Sequence, residues 1–423
     1  MPVERCEIEY IYALRRFGMK LDLEIMRNFI ELLGNPHESL HFAHIAGTNG
    51  KGSVASYLYN IMRRNYSTGL YTSPHIERFT ERIVVDGEEI DEDYIVDFVH
   101  RYRGVIEELS NEQRNPTFFE VTTALALKYF YEKEVDFAVM EVGLGGRLDA
   151  TNIINPDITA ITSIDREHTN VLGKTIPKIA REKAGIIKKG IPVVVGEHKK
   201  AANSVIERIA LKRGAEYHNA LDECTYTVEK EDLNGMKISI ATPVRAYKIR
   251  SKMLGTYQIK NMAVAIRMAE LLSETYTISR GDIEKGIENT VWRGRFEIKS
   301  RKPLLIFDAA HNPAGARVLA KTLRELKLKN ITLLFSMLDD KDVSLFLRYF
   351  KRLADKIVLT EIDYYRRMPV SQLRKYAEQY FNDIYVEKNY CNALRLAMEN
   401  DMVLATGSIY LLGGLERCVQ SLQ

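Results

Sequence analysis

The sequence predicts an α/β protein with more than one compact unit and mostly parallel sheets. Short β-rich apolar runs alternate with helical stretches, the pattern of a parallel sheet covered by helices. One of these runs passes straight into a glycine-rich loop and then a helix. A chain of 423 residues also exceeds the usual size of one hydrophobic core.

Composition narrows the class. With 46% hydrophobic and 28% charged residues the chain is globular, neither disordered nor collagen-like. Its 60 basic and 57 acidic residues leave a net charge of +3, with no footprint for a nucleic acid or a membrane surface. Cys6, Cys224, Cys391 and Cys418 lie far apart and form no CxxC pair, so neither a disulfide framework nor a zinc site is expected. The N-terminus MPVERCEIEY lacks an apolar leader core, and no window reaches the ~18 apolar residues of a membrane span. A monomeric cytoplasmic protein is expected.

Candidate buried strands are Phe42 to Ala46, Phe137 to Val142, Ile158 to Ile164 and Pro192 to Gly196, then Leu304 to Phe307, Ile331 to Phe335, Lys356 to Thr360, Asp383 to Val386 and Met402 to Ala405. Between the two sets, VWRGRFEIKSR at 291 to 301 breaks the helical patterning. This places one domain at 1–291, a linker at 292–301 and a second domain at 302–423. Tyr217 to Lys248 alternates like an antiparallel subregion of the first domain.

The strongest local signal is HFAHIAGTNGKGSVASYLYNIM. Gly47, Thr48, Asn49, Gly50, Lys51, Gly52 and Ser53 join a strand to a helix. Glycines let the backbone turn N–H groups inward, and the helix N-terminus favours an anion. Lys51 suits outer phosphates and Ser53 a magnesium ion. Gly52 between lysine and serine departs from the common phosphate-loop spacing. The loop alone implies only nucleotide binding.

Other residues stay two-sided on chemistry alone. Glu141 ends a strand before a glycine-rich turn, where it either holds Mg²⁺ or pairs with Arg147. Asp149 and Thr151 contact a substrate or cap that turn. His168 follows another strand, but imidazole is a poor donor for hard Mg²⁺. Thr175 to Gly190 reads as a helix with Thr175 as N-cap and Ile176, Ile179, Ala180 and Ile187 as its apolar stripe. Lys183 shares that stripe, so its ammonium either reaches a carboxylate or loses its proton through burial. In Asn115 to Lys133, Thr117 and Glu120 have capping-box spacing. Phe118 and Phe119 wall a ring site or fill the core.

Taken together these segments resemble the folylpolyglutamate synthase and dihydrofolate synthase branch of the Mur ligases. The resemblance rests on GTNGKGS, TSPH, FEVTTALA, EVGLGGRLDATN, EHTNVLGKT, IAREKAGIIK, YQIKNMAVAI, WRGRFE, FDAAHNP and DKD, in the family's order. It implies an N-terminal phosphate-loop ATPase domain and a smaller Rossmann-like glutamate-ligase domain. Activity is then the ATP-dependent addition of L-glutamate to a folate-type carboxylate, through an acyl phosphate. By the same resemblance Lys51, Lys183, His168 and Arg295 are catalytic. Ser53, Glu141, His168 and a carbamylated Lys183 hold Mg²⁺, and Asn261, Arg295, Asp308 and His311 join the loop in nucleotide binding. Substrate contacts fall to Thr72, Ser73, Pro74, Phe119, Asp149 and Thr151.

Four positions depart from the family pattern: Glu167 for aspartate, Tyr257 for histidine, Ala309 for glycine and Ser336 for glycine. None removes a residue assigned to metal or phosphate. The competing readings are a Mur-type ligase for another carboxylate and a phosphate-loop switch protein that makes no amide.

Overall fold

The structure, a computed structural model, describes residues 3–18, 22–110 and 115–420. Its first sheet contains β1 (Phe42–Ala46), β2 (Thr68–Tyr71), β3 (Ile83–Val85), β4 (Glu88–Glu89), β5 (Phe137–Glu141), β6 (Ile158–Ile161), β7 (Val193–Val195) and β8 (Tyr217–Asn219). They lie in the order β4-β3-β2-β5-β1-β6-β7-β8. From β2 to β8 all neighbours are parallel, while β3 and β4 add an antiparallel edge. Each of β1, β2, β5, β6 and β7 is buried along its whole length, as strands covered on both faces must be.

Helix Lys51–Met62 explains much of this cover. Its YLYNIM half presents Tyr57, Leu58, Ile61 and Met62, none more than 1% exposed, to the sheet on one side and to helices Thr256–Leu272 and Arg280–Asn289 on the other. Each such side chain contributes about 1.5–3 kcal/mol by leaving water. Gly286 lets two of these helices touch: a Cβ there would lie 2.6 Å from the Cα of Ile61.

The region from Tyr217 to Lys248 splits. β8 joins the parallel sheet, and only β9 (Thr225–Asp232), β10 (Gly235–Ala241) and β11 (Ala246–Ser251) form the expected antiparallel meander. Alternate residues Met236, Ile238, Ile240, Tyr247 and Ile249 turn into the core.

The second sheet contains β12 (Glu297–Arg301), β13 (Leu304–Asp308), β14 (Ile331–Phe335), β15 (Ala354–Leu359), β16 (Asp383–Val386) and β17 (Met402–Thr406), in the order β12-β13-β17-β14-β15-β16. Only β12 is antiparallel. Several expectations change here. Residues 297–301, assigned to the linker, pair with β13, because a polar run can serve as an edge strand where it could not serve as a core one. β16 is likewise an edge, with Tyr385 and Val386 exposed, so it is not a buried strand. The helix expected from Thr175 to Gly190 stops at Lys183 and tightens into the 3₁₀ turn Ala184–Ile186. Cys391 and Cys418 form a disulfide between helices Tyr390–Ala397 and Ile409–Gln420, their Cα atoms 5.4 Å apart. Their separation of 27 residues hid a pairing that helix packing creates. No helix among the described residues is long and apolar enough to cross a membrane.

Gly286→Ala should push helix Arg280–Asn289 away from helix Lys51–Met62. The expected cost is about 1–3 kcal/mol, read as a lower midpoint in denaturant unfolding with little change in slope.

Candidate active site at the carboxyl ends of the first sheet

The loops that follow β1, β2, β5 and β6 emerge together at the carboxyl ends of four adjacent strands, where open α/β sheets bind ligands. The loop after β1 is clamped by the exit of β6. Thr48 N–H donates to the Ser163 carbonyl at 2.7 Å and Asn49 N–H to Ser163 Oγ at 3.0 Å. The Asn49 carbonyl accepts from Thr162 Oγ1 at 2.8 Å and Ser163 Oγ at 2.9 Å. Asp165 N–H donates to Thr48 Oγ1 at 3.0 Å. Gly50 has φ 93° and caps helix Lys51–Met62, and a Cβ on it would meet the Asn261 carboxamide at 2.5 Å. Trp292 lies against Gly52 in the same way, at 3.0 Å. A helix N-terminus held open with its N–H groups forward can take an anion.

Lys51 begins that helix and turns its Nζ to within 3.7 Å of Glu141 Oε1. Glu141 is 4% exposed and accepts the Ser73 N–H at 3.1 Å, while Arg147, the alternative partner offered by the sequence, pairs instead with Glu182 at 3.1 Å. Burial pushes the Glu141 carboxyl above its ordinary value, against the pull of Lys51 and the Ser73 N–H. The Arg295 and Arg82 charges add to that pull without overcoming burial. The Lys183 side chain is also buried, and its Nζ donates to the Gly47 carbonyl at 2.7 Å. Burial, then the Lys51 charge, lowers its pKa to about 7. Of the two outcomes open to an inward lysine, the structure shows no carboxylate among the described residues reached by its Nζ, which bonds the Gly47 carbonyl instead.

His168 has φ 47° and precedes the short helix Thr169–Leu172. Burial lowers its imidazole to about 4, so it is a neutral nitrogen donor at pH 7. Among the described residues no three His, Cys, Asp or Glu side chains gather as a metal group.

The second domain closes over this floor. Asn312 Nδ2 donates to Asn49 Oδ1 and to Glu167 Oε1, both at 3.1 Å, and His311 Nε2 lies 3.1 Å from the same carboxylate. Lys341 stands 3.9 Å from it. Burial raises the Glu167 carboxyl, but His311, His168 and Lys341 together hold it well below the ordinary range. Asp308 receives N–H groups from Phe296 and Ala310, each at 2.9 Å, with the Arg295 charge nearby. Asn261 sits in the second turn of helix Thr256–Leu272 and donates to Gln258, whose amide reaches Ser53 Oγ at 3.4 Å. The Tyr257 hydroxyl is buried in the field of Asp308 and Arg295.

Of the residues expected to contact substrate, Thr72, Ser73 and Pro74 form the turn beside Glu141. Phe119 lies against Gly143, where a Cβ would strike its ring. Phe118 is 9% exposed and stacks on Tyr12, so it is core. Two substrate assignments change character. Asp149 accepts the Leu144 N–H at 2.7 Å, the Thr151 N–H at 3.1 Å and the Thr151 hydroxyl at 2.5 Å, and Thr151 is fully buried with His44 as its other partner. Their polar atoms are spent on fastening the turn. Glu120 is likewise the capping partner of Thr117.

Two family models cover most of the chain: the Mur ligase middle domain matches residues 45–269, and the Mur ligase glutamate ligase domain residues 294–409. A dihydrofolate synthase/folylpolyglutamate synthase of Bacillus subtilis is 34% identical over 420 residues, covering 96% of this chain and 97% of that protein. The chain belongs to this family of Mur ligases. Its Escherichia coli member of the same description is 32% identical, covering 95% of this chain and 92% of its own. The fold agrees: the Thermotoga maritima folylpolyglutamate synthase structure superposes with a TM-score of 0.88 at 33% identity, over 99% and 98% of the two chains. The E. coli protein solved in complex with DHPP and ADP gives a TM-score of 0.88 at 29% identity, over 98% of each chain. As a member of this family the chain is an ATP-dependent glutamate ligase.

Sequence reasoning missed the residues that hold the loop: Thr162, Ser163 and Asp165. Their position just past a buried strand next to the phosphate-loop strand was the available signal. It also missed the role of Glu167, noted only as a departure. Glu167→Gln should weaken the contact between the domains. With a depressed folded pKa, the carboxylate stabilises above the ordinary carboxylate range and loses that contribution as pH falls through its folded pKa. The variant should therefore be about 1–3 kcal/mol less stable at neutral pH and show a flatter acid limb in unfolding measured across pH.

Proposed function

We propose that the chain carries out this ligation on folate-type acceptors, dihydropteroate and glutamylated tetrahydrofolate alike, through an acyl phosphate formed where the phosphate loop meets the second domain. The observation that carries the reading is the contact of Asn49 in the loop with Asn312 at the head of helix Pro313–Glu325. In this reading the outer end of a loop-bound triphosphate would lie at the mouth of the cleft between the two domains. The relatives' activities and the DHPP and ADP bound by the E. coli protein support the same assignment.

A carboxylate resists an amine because oxide is a poor leaving group. Transfer of the γ-phosphoryl group to the acceptor carboxylate breaks the bond to ADP and forms the acyl phosphate. The glutamate amine then attacks the acyl carbon, inorganic phosphate departs, and the amine proton passes to solvent or a nearby base. Positioning and charge neutralisation dominate phosphoryl transfer. In this proposal the loop N–H groups and Lys51 hold the phosphates, with Asn261, Asp308 and His311 around the nucleotide, while Arg295 reaches the γ-phosphate from the domain junction. Closure of the second domain keeps water from the acyl phosphate. The substrate side belongs to Thr72, Ser73, Pro74 and Phe119.

Mg²⁺ bound with ATP would supply positive charge at the phosphate oxygens. Glu141 and Ser53 offer the oxygen donors that a hard cation prefers, His168 would add a nitrogen, and phosphates and water would complete so sparse a protein set. Lys183 is the group to carry a carbamate, because CO₂ adds to a neutral amine and this amine is neutral above about pH 7. Such a carbamate would form as pH rises through about 7 and be lost below it. A cytoplasmic, monomeric enzyme completes the proposal.

The test is to incubate the protein with Mg-ATP, glutamate and each acceptor, then weigh the products. Glutamate-dependent ADP release with a product heavier by one glutamyl unit is expected. A stable phosphorylated acceptor, or ATP hydrolysis indifferent to glutamate, would count against it. Arg295→Ala should lower turnover by about 10²–10³-fold with a smaller change in ATP binding. Lys183→Ala should lose activity and regain part of it with added acetate; undiminished activity would remove the carbamate.

A further inference from the structure

Away from the phosphate loop the two domains meet a second time, beside a cavity of about 280 Å³ whose lining includes Ile76 and Glu77 of the first and Tyr390, Tyr410 and Gly413 of the second. Three segments come together there. Helix Ile409–Gln420 packs so closely on the Ile76 carbonyl that only a glycine, Gly413, fits. Gly294 of the linker, at φ 66°, sits between Ile76 and Leu412, whose Cδ1 atoms would each lie 3.2 Å from a Cβ on it. Arg293, the residue before it, reaches both domains at once. Its Nη1 donates to Glu81 Oε1 at 3.0 Å, and its Nη2 lies 3.6 Å from Glu77 Oε2 and 3.2 Å from Glu416 Oε1.

These carboxylates are themselves committed to the surrounding backbone and charges. Glu81 accepts the N–H groups of Ile76, Glu77 and Arg78 at 2.8, 3.1 and 3.0 Å, and so fixes the chain that continues from Thr72, Ser73 and Pro74. Glu77 Oε2 has no hydrogen-bond donor among the described residues and depends on the charges of Arg293 and Arg78. Glu416 is 4% exposed and is shared with Lys299, whose Nζ lies 2.9 Å from it and 3.0 Å from Glu297 Oε1. The other oxygen of Glu297 accepts the Gly294 N–H at 2.8 Å. A path of charges therefore runs from Arg293 through Glu416, Lys299 and Glu297 back to the next residue of the linker, and closes a ring around it. Arg295 follows directly, and the Phe296 N–H beyond it is pinned to Asp308 at 2.9 Å. A guanidinium is a planar fork that serves two carboxylates in fixed directions, whereas an ammonium is a point charge. If the domains part, Arg293 must release either Glu416 or the pair Glu77 and Glu81.

We propose that Arg293 is a positioning residue for the ligation: it clamps the linker between the turn of Glu77 and Glu81 and the second domain's Glu416, and thereby holds Arg295 in place for phosphoryl transfer. Arg293 touches no reacting atom and acts through its neighbour. The Thr72–Pro74 side of the site and the arginine at the phosphate then move as one unit. The proposal rests on the ligase activity and on the role of Arg295 given above. Placement matters because a shift of about 1 Å at a reacting centre can cost roughly 10²-fold in rate.

The test introduces Arg293→Lys, which keeps the charge and loses the fork, into the unaltered protein and into Arg295→Ala. In the first background kcat should fall by about 10–10²-fold with ATP binding unchanged, because the phosphate loop belongs wholly to the first domain. In Arg295→Ala the same change should cost nothing further, since residues that act as a unit lose their effect once. Glu416→Gln cuts the clamp from the other side and should lower kcat alike, without adding to Arg293→Lys. Thermal unfolding confirms that each variant is folded. Unchanged kcat in Arg293→Lys and Glu416→Gln overturns the proposal, as does an equal fractional loss in both backgrounds, which is what a purely structural brace would give. A slow Arg295→Ala beside an unimpaired Arg293→Lys removes the proposal alone; near-normal turnover of Arg295→Ala removes the role of Arg295 and the proposal with it.

Discussion

The site depends on how the backbone from Gly47 to Gly50 is held. That segment is held from within on both sides: the Thr48 and Asn49 N–H groups donate to Ser163, and the Gly47 and Asn49 carbonyls need donors inside the protein. Lys183 supplies one to Gly47, and Thr162 and Ser163 supply two to Asn49. Every one of these donors is buried or nearly so. A buried carbonyl without a partner costs about 1–3 kcal/mol, so the loop conformation and the burial of Lys183 require each other. The lowered proton affinity of that lysine follows from the same packing.

The second domain is tied to the first by a carboxylate as well as by apolar packing. Glu167 gathers His311, Asn312 and Lys341 around one buried charge, and Asn312 also reaches the phosphate loop at Asn49. Burial alone would favour the protonated acid, but His311 and Lys341 of the other domain, with His168 of its own, reverse that preference. A polar contact of this kind is directional and open to water when the domains part. It suits a cleft that must admit large substrates and then exclude water. Asp308 and Arg295 sit just behind it, on the strand and segment that join the domains.

The departures from the family pattern fall into the same region. Glu167 carries the interdomain contact. Tyr257 buries its hydroxyl near Asp308, Ala309 lends its carbonyl to His311 Nδ1 at 3.0 Å, and Ser336 is wholly enclosed at the end of β14. The disulfide between Cys391 and Cys418 joins the two helices that carry Tyr390 and Tyr410, both on the wall of the interdomain cavity.

By itself the sequence determined the fold class, the central strands of both sheets and the chemical kind of the site, but not the strands β2, β3, β4, β8 and β12. Those features are written in local periodicity and in a loop whose glycines, lysine and serine are consecutive. It could suggest that Lys183 was odd, since an ammonium on an apolar stripe violates the helix pattern. Only the tertiary structure decided what became of such residues. Glu141 faces Lys51 and not Arg147, Asp149 and Thr151 serve their turn, residues 297–301 are a strand, and Arg293 is shared by carboxylates of both domains. The reason is physical: whether a charge is paired, neutralised or shared depends on which groups packing brings within about 4 Å, and those groups come from distant parts of the chain.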